Sequence, residues 1–552
     1  MNGPVAPDWR QWSPRLKRIA VAQPSRRTRR VVGVLIGAFW AAFLMARLFF
    51  RGTVGLADET DGHRYLCQRG LQAVLPSDNV RLYWHIYTTY NTHTWYGETC
   101  GTYRGDETKY ASSHEAVLWL GQQLNGLFGM PGAFDLRTLA IVYALVIGVA
   151  IGLTFALLPG NLLVRLVITV GIGLVYTESV VAVYFVSPYA EPTVWCGFAL
   201  LLPALLWFWK APEISWPRLA LVVGISFFTI AAKTQAVGYL PAILFALLWK
   251  RSPLSDSRHT AQALRRRATG LMAAARGRGR SIVAGALLVT AVGGYVGTGG
   301  NLTVYSQLNV YEMVFTTLLP AGHDPAADLR WMGADPALAY ASGTSVVSGD
   351  GASYDPRLLT FSRDVSQVTV LRFVAAHPLR LVPLTQYGLR ALGHWRPAYL
   401  GNYTDTPAHP GLQQECRDCF YYYLFTPARK APFWFGVLLL LTLLGGLWIR
   451  NVGFIPAPNR VMGKVAVFFV LATFGEFWTV QLTQGVGDEV KHHVFTLLPM
   501  MLCVPSFIGC LLLGRRVPDG ASDDTSDSAA TGTGDGDEDN LATAPIPAAA
   551  GL

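Results

Sequence analysis

The feature that most constrains this chain is a series of about ten apolar runs, each of about 16 to 22 residues. A helix of that length crosses a hydrocarbon core about 30 Å thick, because each residue adds about 1.5 Å. The sequence therefore predicts an all-α polytopic membrane protein with about ten transmembrane helices. The runs lie near 31–50, 137–158, 163–184, 193–209, 218–232, 235–249, 281–299, 432–449, 464–482 and 494–513.

Composition excludes several other classes of protein. Only 14% of the 552 residues are charged and 51% are hydrophobic, whereas a soluble domain carries about 25% charged residues. This balance excludes an ordinary cytosolic enzyme. An outer-membrane barrel would instead show alternating strands of about 10 residues. The first run is too long for the core of a signal peptide and has no small-residue cleavage site after it.

Basic residues cluster on one side of the predicted topology. They precede the first run, separate the sixth run from the seventh and the eighth from the ninth, and follow the tenth. With an even number of spans these clusters share a side, which the positive-inside rule assigns to the cytoplasm. We expect a multi-pass plasma-membrane protein with both termini cytoplasmic. The net charge of +10 then directs topology, and we expect no nucleic-acid partner.

The predicted topology divides the chain into three parts. Residues 1–30 form a basic cytoplasmic N-terminus and residues 31–515 form the membrane body. Residues 516–552 are rich in Asp, Gly, Ser and Thr, so we expect a disordered acidic cytoplasmic tail. The membrane body carries two large extracytoplasmic segments, 51–136 and 300–431.

Four cysteines fall in these outer segments, Cys67 and Cys100 in the first and Cys416 and Cys419 in the second. Paired cysteines on the oxidising side of a membrane are typical of disulfides, so we expect both pairs to be bonded. The spacing of Cys416 and Cys419 also fits half of a zinc site. A matching second pair is missing, so we predict no metal ligand set.

The first outer segment begins with a dense polar run soon after the first apolar run. It contains three carboxylates and a histidine, which are Asp58, Glu59, Asp61 and His63. Ionisable residues near the membrane are costly and often mark functional sites. These groups can supply a general base for an acceptor hydroxyl, or they can bind a cation. The alternative is the solvated start of a loop.

Two further polar groups lie at predicted outer ends of spans. The loop between the last two spans carries Asp488, Lys491 and His492, whose spacings of three and four suit one helix face. Lys233 and Gln235 occupy the junction of the fifth and sixth spans, where a lysine can pair with a phosphate as a point charge. The alternatives are a charged cap on a hairpin and a lysine that extends to the membrane interface.

Two features elsewhere have open interpretations. Apolar residues recur with helical spacing over 117–127 in the first outer segment, which predicts an amphipathic helix on the outer leaflet. Packing inside an outer domain is the alternative. Glu476 lies inside the ninth span, where it needs a polar partner.

These parts together resemble the GT-C glycosyltransferases, which take sugar from a polyprenyl-phosphate donor on the outer face of a membrane. The acid run is similar to the Asp-Glu-x-x-His/Tyr start of the protein-mannosyltransferase and aminoarabinose-transferase branch. The chain also resembles actinobacterial and Gram-positive hexosyltransferases of cell-surface glycan assembly. The stretches that carry this second resemblance are 487–492, 309–312 with 318–320, and 377–380.

The resemblance implies a GT-C-like fold and an inverting glycosyltransferase of cell-envelope biogenesis. It would move a hexosyl or pentosyl group from the polyprenyl-phosphate donor to a glycan, lipid or protein acceptor beside membrane lipid. The implied roles are acceptor deprotonation by Asp58, Glu59 or Asp61, donor-phosphate binding by Lys233, or Lys491 with His492, and substrate binding by His63, Gln235 and Asp488. No cofactor is assigned. A divalent cation is left open, although no clear cation-binding acid pair is seen elsewhere.

Aromatic residues of the second outer segment are candidates for a sugar platform, although packing of a small outer domain explains them as well. They are Tyr421, Tyr422, Tyr423, Trp331 and Trp395. The alternative functions are a transporter or flippase of lipid-linked glycans, a polysaccharide polymerase or ligase, and a membrane scaffold. Few mid-membrane charges and no related halves are seen, which disfavours transport.

Overall fold

The computed structural model describes most of the chain between residues 23 and 514. The chain divides into two units, Met1–Gly514 and Arg515–Leu552, and every described residue belongs to the first. The predicted acidic tail and most of the predicted N-terminal part lie outside the described residues. The described residues are 23–50, 52–53, 55, 62, 65–66, 69, 71–73, 89–92, 111–128, 133–211, 213–249, 261–298, 302–346, 355–396, 415–452, 455–484 and 489–514.

Helices dominate the described part of the chain, with one small sheet. The first half contains α1 (Arg26–Phe49), β1 (Leu71–Ala73), β2 (Thr89–Thr92), α2 (His114–Leu124), β3 (Ala133–Asp135), α3 (Arg137–Leu157), α4 (Leu162–Thr177), α5 (Ser179–Ala182), α6 (Glu191–Lys210), α7 (Trp216–Ala232), α8 (Leu240–Leu248) and α9 (Ala261–Thr298). The second half contains α10 (Leu302–Tyr311), α11 (Pro325–Trp331), α12 (Arg357–Asp364), α13 (Gln367–Ala376), α14 (Leu381–His394), α15 (Phe420–Leu424), α16 (Thr426–Lys430), α17 (Phe433–Asn451), α18 (Val461–Thr483), α19 (Glu489–His492) and α20 (Val494–Leu513).

The protein is an all-α polytopic membrane protein, and helices occupy all ten positions where the sequence predicted a span. Within the described ranges, seven helices are long and apolar enough to cross a membrane, or up to nine if two bent pairs each count as one span. One bent pair, α4 with Ser179–Phe185, is the predicted third span with a 50° bend. The fifth and sixth positions hold shorter helices, Trp216–Ala232 and Thr234–Leu248.

Two parts of this architecture differ from the prediction. The basic stretch expected as a loop over 250–280 is helical from Ala261, because α9 continues from it into the span Gly277–Gly297. The second bent pair, Gln367–Ala376 with Pro378–His394, turns by 102° within the second outer segment. Pro378 explains this turn, because proline cannot donate the backbone bond that would continue a helix.

Helices α1 and α3 pack at the closest distance that backbones allow. A Cβ atom placed on Gly37 would lie 2.7 Å from the carbonyl oxygen of Gly148, and one on Gly148 would lie 2.5 Å from that of Gly37. Gly33 and Gly152 make the same contact one turn away. This is the small-residue spacing that lets membrane helices approach each other without a hydrophobic driving force.

Basic side chains gather at one end of the helix bundle. There Arg280 donates to the carbonyl of Ile214 at 2.7 Å, Arg450 lies 4.0 Å from the ring of Trp249, and Lys464 lies 5.9 Å from that of Trp209. The described parts of both predicted outer segments connect helices at the opposite end. The basic stretches before the seventh span and between the eighth and ninth therefore lie at the same end of the bundle, as the predicted topology requires; the side of the membrane that this end faces stays a prediction.

The first outer segment returns to the bundle through a small antiparallel sheet in the order β1-β2-β3. Residues Leu71 and Thr92 pair across β1 and β2, and Tyr90 and Phe134 pair across β2 and β3. The sequence analysis did not predict this sheet, because strands of three or four residues carry little periodicity.

The amphipathic pattern over 117–127 forms α2, followed by a 3₁₀ turn, and its two faces differ. Leu118 and Gly121 pack inward, and Gly121 lies against the side chain of Leu139. Trp119, however, is 55% exposed. One face thus packs in the core, as the alternative interpretation held, and the other leaves apolar side chains outward.

The second outer segment has a hydrophobic core of its own, formed by buried residues between Val310 and Leu384. Two stretches that carried the family resemblance hold this core together. Glu312 accepts hydrogen bonds from Ser345 and Val346, and Arg380 forms a 2.6 Å ion pair with Asp328.

Near the end of this segment Cys416 and Cys419 form a disulfide, which confirms that predicted pair. Cys67 and Cys100 lie outside the described residues.

Candidate functional site

The structure brings four of the predicted site residues together at the end of the bundle opposite the basic cluster. They are Lys233, Gln235, Lys491 and His492, and we call them with Glu191 the lysine cluster. They come from three separate stretches of chain. Asp58, Glu59, Asp61, His63 and Asp488 lie outside the described residues, so their predicted roles stay predictions.

Lys233 follows the last residue of α7 and breaks the helix. Its backbone is extended, with φ −149° and ψ 132°, and a 3₁₀ turn over Thr234–Tyr239 follows. Its ammonium group donates to Glu191 at 2.6 Å and lies 5.8 Å from the ring centre of Phe495. The lysine therefore does not simply extend to the interface, because a buried carboxylate holds it in place.

Glu191 is the first residue of α6 and is 1% exposed. A carboxylate is favoured at this position, because the partial positive charge of a helix N-terminus stabilises it. One oxygen accepts from Lys233, whereas the other is buried and has no hydrogen-bond partner among the described residues. A carboxylate acceptor thus lies beside the ammonium group.

Gln235 and His492 are joined by two hydrogen bonds. The Gln235 amide nitrogen donates to the His492 carbonyl at 2.7 Å, which turns the amide oxygen toward His492 Nδ1 at 3.0 Å. Because that oxygen only accepts, Nδ1 carries the proton. Nε2 is then the nitrogen that gains or loses a proton when the ring titrates.

Lys491 lies one residue before His492 and is 4% exposed. Its ammonium nitrogen lies 5.6 Å from the ring centre of Tyr189, in the loop that leads to Glu191. This distance is within the range of a cation–π interaction. The second lysine is therefore held over the same loop that supplies the carboxylate for Lys233.

A buried network fixes the turn that carries Lys491 and His492. Gln481 of α18 donates to Glu489 and to His493 Nε2, the latter at 2.9 Å. His493 Nδ1 then donates to Thr496 at 3.2 Å. These side chains are buried, so they hold the backbone of α19 rather than face a substrate.

His114 fixes the loop on the other side of the cluster. Its Nε2 donates to the carbonyl of Pro188 at 3.1 Å, and its Nδ1 accepts from the Thr193 hydroxyl at 2.8 Å. Burial lowers the pKa of His114 to about 3, so the ring is neutral at physiological pH. Residues on both sides of Glu191 are thereby tied to α2.

The residues that bracket the predicted acid run also contact this loop. Gly55 packs against the carbonyl of Val186, where any side chain would collide. Tyr65 packs edge-on against His114, with ring centres 4.9 Å apart. Both described flanks of the run thus lie against residues near the lysine cluster.

The proposed aromatic platform is divided by the structure. Trp331 is 47% exposed and lies against Phe373 and His377 at the edge of the second outer segment's core. Trp395 instead packs with Tyr422, 5.9 Å between ring centres, in the core shared with the membrane body. Trp331 and Trp395 therefore do not form one surface, and the role of each as a sugar platform stays a prediction.

No three His, Cys, Asp or Glu side chains among the described residues are grouped so that they could hold a metal ion.

The sequence matches the model of the YfdI N-terminal transmembrane domain over residues 22–504. The chain belongs to this family. The YfdI family is a GT-C-like family of membrane glycosyltransferases, in agreement with the resemblance read from the sequence. No curated protein and no solved structure matches the chain significantly.

Several parts of this candidate site were not predicted from the sequence. Glu191 was not among the predicted site residues, although a carboxylate directly before Pro192 at a helix start is a recognisable signal. His114 and Gln481 gave no signal, because their partners are distant in sequence. Only the fold shows that they position the lysine cluster.

Proposed function

We propose that this protein transfers a sugar from a polyprenyl-phosphate donor to a cell-envelope glycan, lipid or protein acceptor at the outer face of the membrane. The observation that carries the proposal is the convergence of Lys233, Lys491 and His492 at one membrane end of a YfdI-type bundle. A lipid phosphate would lie near such an end of the bundle, and lysine and histidine are side chains that bind phosphate.

Electrostatics favour an anion at the lysine cluster. Lys233 pairs with Glu191, and Lys491 is held over the ring of Tyr189 in the loop that leads to Glu191. Two ammonium groups thus lie at the same end of the bundle, and protonation of His492 would add a further positive charge. A departing lipid phosphate gains charge as the sugar leaves, so preorganised cations stabilise the transition state more than the ground state.

The acceptor would be activated by the acid run. One of Asp58, Glu59 and Asp61 would take the proton of the acceptor hydroxyl as that oxygen attacks the anomeric carbon, with inversion. Gly55 and Tyr65, which flank the run, pack against Val186 and His114. This packing supports a base that works beside the lysine cluster.

Sidedness follows from the same arrangement. The basic end of the bundle, marked by Arg280 and Arg450, would face the cytoplasm, and both termini would lie there. The lysine cluster at the other end would then face outward, where polyprenyl-phosphate sugars are used by enzymes of this type. Cysteine labelling from outside intact cells tests this directly.

The decisive experiment uses purified full-length protein in nanodiscs with synthetic polyprenyl-phosphate hexoses and pentoses. Membranes of a deletion strain supply the acceptor, and the released polyprenyl phosphate is measured. Lys491→Met and Asp58→Ala with Glu59→Ala should lose at least about 100-fold in rate, the effect of removing one strong electrostatic or acid–base group. Lys464→Met at the basic end is the matched control and should stay active.

Full activity of the double acid variant would refute the assignment of the base to Asp58 or Glu59 and leave Asp61. Absence of transfer by the wild type with every donor would refute the proposal itself.

Transport of a lipid-linked glycan is the alternative, and one observation favours it. Glu476 lies within α18, fully buried, where the backbone of Tyr239 is its polar neighbour and no other side chain of the described residues bonds to its carboxylate. Ionisable groups buried in a span often mark transport paths. Movement of a labelled lipid-linked sugar across proteoliposomes, lost in Glu476→Gln and without sugar transfer, would support this alternative.

A further inference from the structure

A disulfide closes the turn through which the second outer segment returns to the membrane body. The turn comprises residues 415–419, and its bond joins Cys416 to Cys419 across a separation of three residues. We call these five residues the disulfide turn. In the chain-entropy account a disulfide stabilises the whole fold less when the loop that it closes is shorter. So short a loop points to a local role, and the contacts of the turn identify that role.

The disulfide turn binds the end of α1 through Arg417. The guanidinium Nη1 donates to the carbonyls of Phe50 and Gly52, each at 2.9 Å, and to that of Arg47 at 3.3 Å. The last carbonyls of a helix have no partner within the helix, and a nearby basic side chain can bind them. Gly52 has φ 103°, so the chain turns away from α1 here. Arg417 therefore fixes the direction in which the chain leaves the first span.

The same turn binds the break between α4 and α5. The backbone N–H of Ser179 donates to the carbonyl of Asp418 at 2.6 Å, and the Thr177 hydroxyl donates to the Asp418 carboxylate at 2.7 Å. Glu415 forms a buried ion pair of 2.6 Å with Arg47. The disulfide turn therefore joins α1, the break after α4 and the second outer segment at one point.

The stretch of chain that Arg417 holds leads to the acid run. Gly52 and Gly55 lie between the end of α1 and Asp58. Arg417 binds the carbonyl of Gly52, and Gly55 packs against the carbonyl of Val186. Both contacts restrict the chain on its way to the predicted base.

The two cysteines of the turn differ in exposure. Cys416 is exposed, and its Sγ lies 4.0 Å from the hydroxyl of Tyr423, which is itself 67% exposed. Cys419, in contrast, is buried. Thiol–disulfide exchange depends on access of the attacking thiolate to one of the two sulfurs. Cys416 is therefore the residue that an external thiol can reach.

We propose that the disulfide between Cys416 and Cys419 is a redox switch that holds the end of α1 through Arg417. A dithiol reductant opens it in two steps. Its first thiolate attacks the sulfur of Cys416, which forms a mixed disulfide and releases the Cys419 thiolate. Its second thiolate then displaces Cys416. The two protons of the dithiol end on Cys416 and Cys419, and the reductant, oxidised by two electrons, leaves as a disulfide.

Opening the bond frees the backbone from which the turn makes its contacts. The disulfide keeps the Cα atoms of Cys416 and Cys419 5.4 Å apart. Arg417 and Asp418 lie between them, so both lose the fixed backbone from which they reach α1 and Ser179. The effect on sugar transfer rests on the proposed function, because a released acid run would misplace the base relative to the acceptor. Contacts among α6, α7 and α19 hold the lysine cluster instead, so phosphate binding should persist.

Hydrogen exchange on the full-length protein in nanodiscs measures the release of α1. The reporters are the backbone amides of residues 47–53 and 177–182, and mass spectrometry of alkylated peptides identifies the reduced cysteines. The wild type is compared with and without dithiothreitol, a small dithiol. In the reduced protein we expect both reporter segments to exchange at least about tenfold faster, and re-oxidation should restore the slow exchange.

Two variants separate the disulfide from the side chain that it positions. Cys416→Ser with Cys419→Ser should exchange as fast as the reduced wild type. It should also show no response to dithiothreitol in the reporters, which excludes an effect of any other cysteine pair. Arg417→Met should release the amides of α1 with the disulfide intact. Arg363→Met, exposed on α12 of the same outer segment, is the matched control and should behave as the wild type.

Four results of the exchange experiment would overturn the inference. They are resistance of the pair to dithiothreitol, unchanged exchange once both cysteines are reduced, a double cysteine variant that responds as the wild type does, and full protection of α1 in Arg417→Met.

The transfer assay tests the functional consequence separately. The reduced wild type should lose at least about tenfold in kcat, with binding of polyprenyl phosphate alone unchanged and with activity restored by re-oxidation. Full transfer by a reduced protein whose α1 end exchanges fast would refute the switch. Absence of transfer by the oxidised wild type would instead refute the proposed function, and the exchange experiment would still decide whether the disulfide holds α1.

Discussion

Acidification should loosen the loop beside the lysine cluster through one residue, His114. The ring is fully buried, its Nε2 donates to Pro188, and its Nδ1 accepts from Thr193. A second proton would have to bind Nδ1, which already accepts a hydrogen bond from the Thr193 hydroxyl. Burial is the main reason that the pKa of His114 falls to about 3.

The sign and size of the effect follow from linkage. In the unfolded chain a histidine has a pKa of about 6.5. Above that pH both states hold a neutral ring, so His114 adds no pH dependence. Below pH 6.5 the unfolded chain binds a proton at this histidine and the folded protein does not. The free energy of unfolding therefore falls by about 1.4 kcal/mol per pH unit until about pH 3. Between pH 6.5 and pH 5 the loss is about 2 kcal/mol.

The variant that isolates this effect is His114→Gln, whose amide can donate toward Pro188 but does not titrate. We expect it to be about 1 kcal/mol less stable than the wild type at pH 7.5, because the Thr193 bond is weakened. The gap should shrink and reverse as the pH falls to 5. Thermal unfolding in nanodiscs, with hydrogen exchange of residues 187–191, measures it.

The difference between the unfolding free energies of the two proteins cancels the contribution of every other titrating group. Its pH dependence therefore comes from position 114. Parallel curves for wild type and His114→Gln between pH 7.5 and pH 5 would refute the reasoning.

Two further predictions concern stability of the membrane body, measured as thermal unfolding in detergent. Gly148→Leu should lower the free energy of unfolding by about 1–3 kcal/mol or more, because its Cβ would lie 2.5 Å from the Gly37 carbonyl. The control Gly224→Leu, with open space around it, should leave stability unchanged. Equal losses in both variants would contradict the close-packing argument. Arg47→Met should cost about 1.5–3 kcal/mol, since Glu415, 3% exposed, loses its charged hydrogen bond at 2.6 Å and keeps only the weaker pair with Arg417 at 3.9 Å. The exposed Arg330→Met should change stability by less than about 0.5 kcal/mol, and an equal effect of both variants would count against the pair.

Much of the fold could be predicted because the membrane restricts the choices. Apolar runs such as 464–482 and 494–513 specify helices directly, since every backbone polar group in lipid must be bonded within its own segment. The same restriction made Lys233 and Gln235 stand out. Their position relative to Lys491 and His492 could not be predicted from the sequence, and in the structure Gln235 contacts His492.

The remaining features depend on contacts between distant parts of the chain, which no local pattern encodes. The partner of Lys233 is Glu191, 42 residues earlier, and that of Gln235 is His492, 257 residues later. The cavity lined by Glu178 and Trp395 forms only where the break after α4 meets the much later stretch of chain that carries Trp395. Short strands such as Thr89–Thr92 gave no periodicity to read.

The ion pair between Arg47 and Glu415 also affects the order in which the chain can insert and fold during synthesis. The two residues are 368 positions apart, and chains are made at about 5–20 residues per second. For roughly 20 to 70 seconds of synthesis, Arg47 therefore exists without the carboxylate that neutralises it. Its place in the last turn of α1 lets the long side chain reach water during that wait, so the first span can insert before the last outer segment exists to close over it.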